Sequence, residues 1–411
     1  MSVKNSKAKL ILVCLAFVGC GVVVYYALPV FSSMVKSNVV KYNINQDLSK
    51  DNTILPKVVV NKVEPKSVAV DPPTLIPVTH IQTPEQVRAL YMSAWVAGSD
   101  KYRNPLIKMV DDTELNAVVI DIKDSTGRIS FAIDDPLIKE IGSPENRIKN
   151  IRELTSLLHS KNIYIIGRIS VFQDPYLTKL KPEWAIKKKS DGTIWKDKKG
   201  LSFLDPTNVK VHEYILSIAL DSYKDGFDEI NFDYIRYPSD GDIKDINYNL
   251  GSGKTRADNL EAFFKYISTG IKKTDNIPIS ADVFGLTTEA TDDMGIGQVW
   301  EKVIPYFDFI CPMVYPSHYP NGYAGYKNPA LYPYQVINRA LISAVVKSKA
   351  INQDISKIRP WLQDFNLGAT YTKEMIQTEM KAVYDNGLNS WMLWDPANKY
   401  TPSALKLDTI N

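Results

Sequence analysis

Histidine and cysteine are both scarce in this sequence, and that scarcity removes whole classes of chemistry. Four histidines, His80, His159, His212 and His318, are spread over 411 residues, and none falls at the paired spacing a zinc site needs. Of the three cysteines, Cys14 and Cys20 lie in an apolar N-terminal stretch, so Cys311 is alone in the rest of the chain and a disulfide framework is excluded there. Within the run Phe309-Ile310-Cys311-Pro312-Met313, Cys311 reads as a small buried hydrophobe and not as a nucleophile. No Gly-x-Ser-x-Gly elbow occurs. The stretch Gly251-Ser252-Gly253-Lys254-Thr255 lacks the leading glycine of a phosphate loop and follows no strand, so it is expected to be a turn. Charge of one sign is lacking as well. A net charge of +3, without a Lys/Arg block interleaved with aromatics, gives no footprint for a nucleic-acid partner. Neither a metal nor an organic cofactor is expected.

What is present begins with an uncharged run from Leu10 to Phe31, preceded by Lys4, Lys7 and Lys9. At roughly 20 residues it is long enough to span a bilayer. The preceding lysines place the N-terminus in the cytoplasm and everything after the span outside. A cleaved signal is the competing expectation, because Ala16-Phe17-Val18-Gly19-Cys20 resembles a lipoprotein cleavage site; the exported part would then be secreted or lipid-anchored. Residues 1–31 are assigned to the cytoplasmic tip and anchor. Residues 32–84, interrupted by Pro56, Pro65, Pro72, Pro73 and Pro77, form an extended stalk, and 85–411 form one folded domain, expected to be a monomer.

In that last segment short apolar or alternating runs recur between helical patterns, the signature of repeated βα units. Eight strands are expected, over 89–96, 117–123, 163–171, 229–234, 279–284, 309–315, 358–363 and 390–394. Helices are expected over 148–161, 211–225, 256–273, 296–306, 334–349 and 373–386, with Gly226 and Gly387 at helix ends. Near-regular alternation favours a closed (β/α)8 barrel of the α/β class over a doubly wound sheet. Two connections after strands, 124–147 and 173–208, are longer than a barrel needs and would rise from the C-terminal face, where barrel active sites are built. Trp184 and Trp195 in the second are either packing anchors or sugar platforms.

The fourth strand carries the densest information. In Phe227-Asp228-Glu229-Ile230-Asn231-Phe232-Asp233-Tyr234-Ile235-Arg236-Tyr237-Pro238 the apolar Ile230 and Phe232 alternate with Glu229, Asn231 and Asp233. The apolar face would meet an outer helix. The polar row would then point into the barrel, where only an ion-pair layer or a functional site tolerates it.

Several stretches together resemble a known family: Ile120-Asp121-Ile122-Lys123-Asp124, Gly167-Arg168-Ile169-Ser170-Val171-Phe172-Gln173-Asp174-Pro175, Leu204-Asp205-Pro206, the fourth-strand run, Ser280-Ala281-Asp282-Val283-Phe284-Gly285, Pro312-Met313-Val314-Tyr315-Pro316 and Trp391-Met392-Leu393-Trp394. They are similar to the glycosyl hydrolase domain of bacterial surface proteins, a family first catalogued as a domain of unknown function. The resemblance runs from about 87 to 402 and implies a barrel related to glycoside hydrolases. A more distant likeness is to the family-18 chitinases, whose fourth strand carries Asp-x-x-Asp-x-Asp-x-Glu. Asp228, Asn231 and Asp233 fall on the three Asp positions, but Ile235 stands where the catalytic Glu belongs, so chitinase chemistry is not carried over.

Glycoside hydrolysis by the common routes needs two carboxyl groups, one protonated for the leaving group and one ionised. Asp233 and Asp282, at the ends of adjacent strands about 4.8 Å apart, supply such a pair. Arg168, beside Asp233 in the barrel order, would keep it ionised as nucleophile or base, and Asp282 would be raised towards the general-acid role. The competing expectation is that Lys123, Arg168, Asp121 and Asp233 form a neutralised network without turnover. Lys123, Arg168 and Asn231 are candidate substrate contacts, and Asp121, Asp174, Asp364 and Asp395, at or just beyond strand ends, could each bind sugar hydroxyls or replace Asp282 in the pair, with loop capping as the competing role for each. Tyr237, Tyr315, Trp361 and Trp394 are candidate stacking platforms for pyranose faces. The expected function is hydrolysis or transglycosylation of a cell-surface or extracellular polysaccharide. The alternative is a non-catalytic carbohydrate-binding barrel in envelope assembly.

Overall fold

A computed structural model describes residues 77–407. The span expected over 10–31 and most of the stalk lie outside the described residues, and among those described no helix is long and apolar enough to cross a membrane.

Eight strands, β1 (Arg88–Met92), β2 (Ala117–Lys123), β3 (Tyr164–Ser170), β4 (Glu229–Asp233), β5 (Ile279–Phe284), β6 (Phe309–Met313), β7 (Trp361–Gln363) and β8 (Trp391–Trp394), close into a barrel. Each pairs in parallel with its sequence neighbours, and β8 closes on β1 with Arg88 opposite Trp391. Parallel strands covered on both faces need apolar residues on both, and β2 and β3 are buried at every position. Outward residues such as Leu90, Val118, Ile120, Ile165, Ile230 and Phe232 form the layer between barrel and helices. Inward residues, among them Ala89, Tyr91, Val119, Ile166, Cys311, Trp361 and Met392, fill the interior. Cys311 is the buried hydrophobe its surroundings suggested. Gly167 lets β3 seat against this outer layer, since a Cβ there would lie 2.3 Å from Ile122 Cδ1 and 2.7 Å from Phe227 Cδ1.

The outer ring consists of α1 (Asp100–Asp112), α2 (Ile151–Ser160), α3 (Val209–Lys224), α4 (Arg256–Thr274), α5 (Trp300–Val303), α6 (Pro333–Ala350) and α7 (Lys373–Asp385). After β8 a 3-10 turn, Pro402–Ala404, occupies the eighth helix position. Sequence periodicity missed α1, where Pro105 lies inside the helix and only Leu106, Ile107 and Val110 are buried. It also ran β1 too far. The strand stops at Met92 because Ser93 caps a turn, its side chain accepting from Val96 N. The helix expected over 296–306 starts only at Trp300, because Gly295 and Gly297 hold left-handed backbone and Gln298 is occupied at the barrel mouth.

In the long third connection Trp184 and Trp195 are both buried, and Trp195 Nε1 donates to Asp242 O at 2.9 Å. They anchor the loop and offer no exposed face. At the other end of the barrel the last residues of the assigned stalk are held in place. Ile81 N donates to Asp228 Oδ1 at 2.7 Å, Thr83 Oγ1 meets Tyr164 OH at 2.9 Å, and His80 stacks on Tyr223 at 3.9 Å.

The lowest polar layer of the interior is an ion pair. Arg359 Nη1 donates to Glu229 Oε1 and Oε2 at 2.9 and 3.1 Å, joined by Ser280 Oγ at 2.6 Å and Tyr164 OH at 3.1 Å. Both charges are fully enclosed. Arg359→Met should therefore strand the Glu229 carboxylate and destabilise the domain by about 3–5 kcal/mol in denaturant melts, and adding Glu229→Gln should recover most of that loss.

Candidate active site

Alternation along β4 and β5 brings two carboxylates to one end of the barrel. Asn231 pairs with Ser280 and Phe232 with Ala281, so the next residues, Asp233 and Asp282, emerge side by side at the C-terminal mouth. Asp282 is buried, and Asn231 Nδ2 and Trp361 Nε1 both donate to its Oδ1, at 2.9 and 2.8 Å. Among the described residues its Oδ2 receives no hydrogen bond, so no protein donor competes with a proton on that oxygen. Burial first, and then the neighbouring Asp233 charge, push the Asp282 carboxyl up to about 8.

Asp233 is in a different environment. Arg168 grips its Oδ2 through Nε, at 3.1 Å, and through Nη2, while Tyr234 N donates to Oδ1 at 2.6 Å. The same guanidinium reaches Asp121 Oδ1 through Nη1 at 2.6 Å, and Tyr91 OH closes on Asp121 Oδ2 at 2.6 Å. Burial raises the Asp121 carboxyl and the Arg168 charge opposes the rise. Burial works against the Arg168 charge, but Asp233 and Asp121 outweigh it and hold the guanidinium protonated.

Aromatic rings wall this cluster. Trp394 stacks on Tyr91 at 4.1 Å, meets Trp361 edge-on at 5.5 Å, and lies 5.2 Å from the Arg168 guanidinium. Tyr315 is buried beside Phe365 and His318; burial and then the Asp282 and Asp233 charges raise its hydroxyl, which places it at the same mouth. Gln298 ties the two strand ends together: its Oε1 accepts from Phe284 N at 3.0 Å and its Nε2 donates to Ile235 O and Asp282 O at 3.4 Å. Tyr234, immediately after Asp233, has φ 52°, a backbone turn that ends β4 at the carboxylate.

Residues 89–400 match the family described as "Putative glycosyl hydrolase domain". The chain belongs to this family. No curated protein was found as a relative. Among solved structures, a hypothetical protein from Ruminiclostridium thermocellum ATCC 27405 is 32% identical, over 50% of this chain and 98% of its own, with a TM-score of 0.42. The glycoside hydrolase domain of PgaB (BpsB) from Bordetella bronchiseptica is 14% identical, over 79% of this chain and 100% of its own, with a TM-score of 0.56. Alpha-L-fucosidase isoenzyme 2 from Paenibacillus thiaminolyticus is 12% identical, over 78% of this chain and 47% of its own, with a TM-score of 0.50. At the identities of the last two, the likeness is one of fold.

Within this glycosyl hydrolase-like barrel the predicted residues divide. Asp233, Asp282, Asp121, Arg168, Asn231, Trp361, Trp394 and Tyr315 converge at the mouth, while Lys123, Asp174, Tyr237, Asp395 and Asp364 are engaged in other contacts. Lys123 is fully buried behind a register shift between Asp121 and Lys123, and its ammonium pairs with Asp174 Oδ2 at 2.9 Å. Tyr237 belongs to the layer outside the barrel, where Tyr248 packs on it at 5.2 Å and Asn259 Nδ2 donates to its hydroxyl at 3.3 Å. Asp395 caps its own turn, accepting from Ala397 N at 2.5 Å. Asp364 likewise binds Thr401 through N and Oγ1, both at 2.8 Å. The chitinase comparison also divides: Asp228 sits at the opposite end against Ile81 and His159, and Ile235 is buried in the outer layer. Sequence reasoning missed Tyr91, whose inward parity with Ala89 was the available signal, and Gln298, which no pattern marks.

Because the Asp282 carboxyl is raised, the folded protein keeps a proton there that the unfolded chain releases from about pH 4 upwards. The stability tied to that proton is present at low pH and lost as the pH rises through about 8. Asp282→Asn keeps the acceptor for Asn231 and Trp361 but has no proton to lose. It should match the parent protein in denaturant melts at about pH 4 and exceed it by up to about 5 kcal/mol at about pH 8.

Proposed function

We propose that this barrel hydrolyses a glycosidic bond, with Asp282 as general acid and Asp233 as nucleophile or general base. The observation that carries the reading is the contrast between the two neighbours: a buried carboxyl raised to about 8 with a free Oδ2, beside a carboxylate held by a guanidinium. The proton on Asp282 Oδ2 passes to the glycosidic oxygen as the C–O bond breaks. Asp233 attacks the anomeric carbon, or takes a proton from the water that does. Arg168 holds the attacking carboxylate in place, and the half-buried Trp394 ring, backed by the buried Tyr91 and Trp361, offers flat apolar surface to a pyranose. Asn231 Oδ1, buried without a donor among the described residues, is an open acceptor close to Asp282.

The substrate in this reading is a cell-surface or extracellular polysaccharide, with the 10–31 segment as a membrane anchor and the barrel outside, acting as a monomer. Membrane fractionation checks the anchor: the full chain should sediment with membranes, and a chain starting at residue 77 should stay in the supernatant.

A second reading, a barrel that binds carbohydrate without turnover, draws on one feature, that both Asp233 oxygens already have protein donors. Asp233→Asn separates the two. It should lower the release of reducing ends by at least ~100-fold across a panel of oligosaccharides that includes peptidoglycan glycans and amino-sugar polymers, while the melting curve changes little. Activity should fall above about pH 8 as Asp282 loses its proton, and should persist in excess chelator. An Asp233→Asn protein with full activity refutes the assignment; one that unfolds for want of the Arg168 partner favours the binding barrel.

A further inference from the structure

Three residues beyond Asp233, the loop leaving β4 carries a second guanidinium, that of Arg236. It lies half-buried between two rings, 5.2 Å from the Tyr234 centroid and 4.8 Å from that of Phe284, and Phe284 is the inward residue two positions above Asp282. Nη1 is committed to Tyr237 O at 3.0 Å and Ser239 Oγ at 3.3 Å. Nε and Nη2 donate to nothing among the described residues, and Arg236 forms no ion pair there.

Those two groups make up the edge of a guanidinium that grips a carboxylate with both oxygens. Other arginines among the described residues use that edge on a carboxylate, whereas in Arg359 it is enclosed in the barrel interior without a partner. Arg256 uses it on Asp293, with Nε to Oδ2 at 2.8 Å and Nη2 to Oδ1 at 2.9 Å, and Arg168 uses it on Asp233. Half-buried cations are ordinarily paired, because desolvating an unpaired one is unfavourable. Burial does pull the Arg236 pKa down, and the Tyr234, Asp233, Asp240 and Asp197 groups around it act only through space.

We propose that the open Nε and Nη2 edge of Arg236 is a subsite for a carboxylate on the sugar, so that the polysaccharide taken at this mouth is an acidic one. A singly charged carboxylate fits better than a phosphate dianion, because Asp233, Asp240 and Asp197 lie near and their repulsion grows with ligand charge. The carboxylate can belong to a uronic acid or to a carboxyalkyl ether of an amino sugar. The position of the subsite beside the scissile bond rests on the hydrolase reading above; the preference for an acid does not.

The test is isothermal titration of the full chain with glucuronate against glucose, and with N-acetylmuramate against N-acetylglucosamine. At least one acid should bind ten or more times tighter than its neutral counterpart, and which one does so identifies the source of the carboxylate. Arg236→Met should abolish that preference and Arg236→Lys should keep part of it. Arg236→Met also gives up the bonds to Tyr237 O and Ser239 Oγ, so melts are run beside it: the preference should vanish in a protein that still unfolds cooperatively within a few degrees of the parent. Equal binding of acid and neutral sugar in both pairs, including no detectable binding of either, overturns the proposal, as does a preference that survives Arg236→Met. The readout does not use turnover. A protein that prefers an acid but releases no reducing ends keeps the subsite and loses the hydrolase reading, and the reverse result does the opposite.

Discussion

A closed barrel of parallel strands sends every second residue into an interior where charge must be paired or put to use. That constraint organises this molecule. At the lower level Glu229 and Arg359 neutralise each other, with Ser280 and Tyr164 completing the carboxylate's hydrogen bonds. At the mouth one guanidinium, that of Arg168, serves two carboxylates, Asp121 and Asp233. The third inward carboxyl there, Asp282, receives no cation and is given amide and indole donors instead. Three acids and one close cation cannot all be ionised without a large cost in a buried site, so the proton settles on the group with no ion pair.

The division of labour between the two mouth carboxylates therefore follows from where one arginine lies. Arg168 emerges from β3, next to β4 and one strand further from β5, and its side chain spans from Asp121 to Asp233. Its guanidinium lies over the Trp394 and Tyr91 rings, 5.2 and 5.8 Å from their centroids, where the ring quadrupoles favour the cation. Gln298 then fixes the spacing of the β4 and β5 ends by bonding backbone on both, so the pair is held by a residue that bonds neither carboxyl group.

Several side chains with the right parity or strand-end position are nevertheless excluded from the mouth. Lys123 shares the inward parity of Asp121 along β2, yet the register shift that follows Asp121 turns it to Asp174. Tyr237 follows a left-handed residue, Tyr234, and is carried into the outer layer with Ile235. Parity counts from the last regular residue, and each of these lies beyond a break that composition does not announce.

The sequence alone determined the architecture, because the period-2 and period-3.6 patterns are local and repeat often enough to fix eight strands and most of the helices between them. It also determined which strands carry inward acids near their C-terminal ends, since Asp233 closes its alternating run and Asp282 stands two residues before the end of the next. Only the tertiary structure decided how those acids differ. Whether a carboxyl keeps its proton depends on distances of a few ångströms to Arg168, Asn231 and Trp361, which come from strands far apart in the chain. It also decided that Arg236, an unremarked cation in the fourth-strand run, keeps an open edge between two rings while its neighbours are paired. Sequence spacing encodes direction along a strand; charge balance is a property of the closed barrel, because every inward group feels all the others at once.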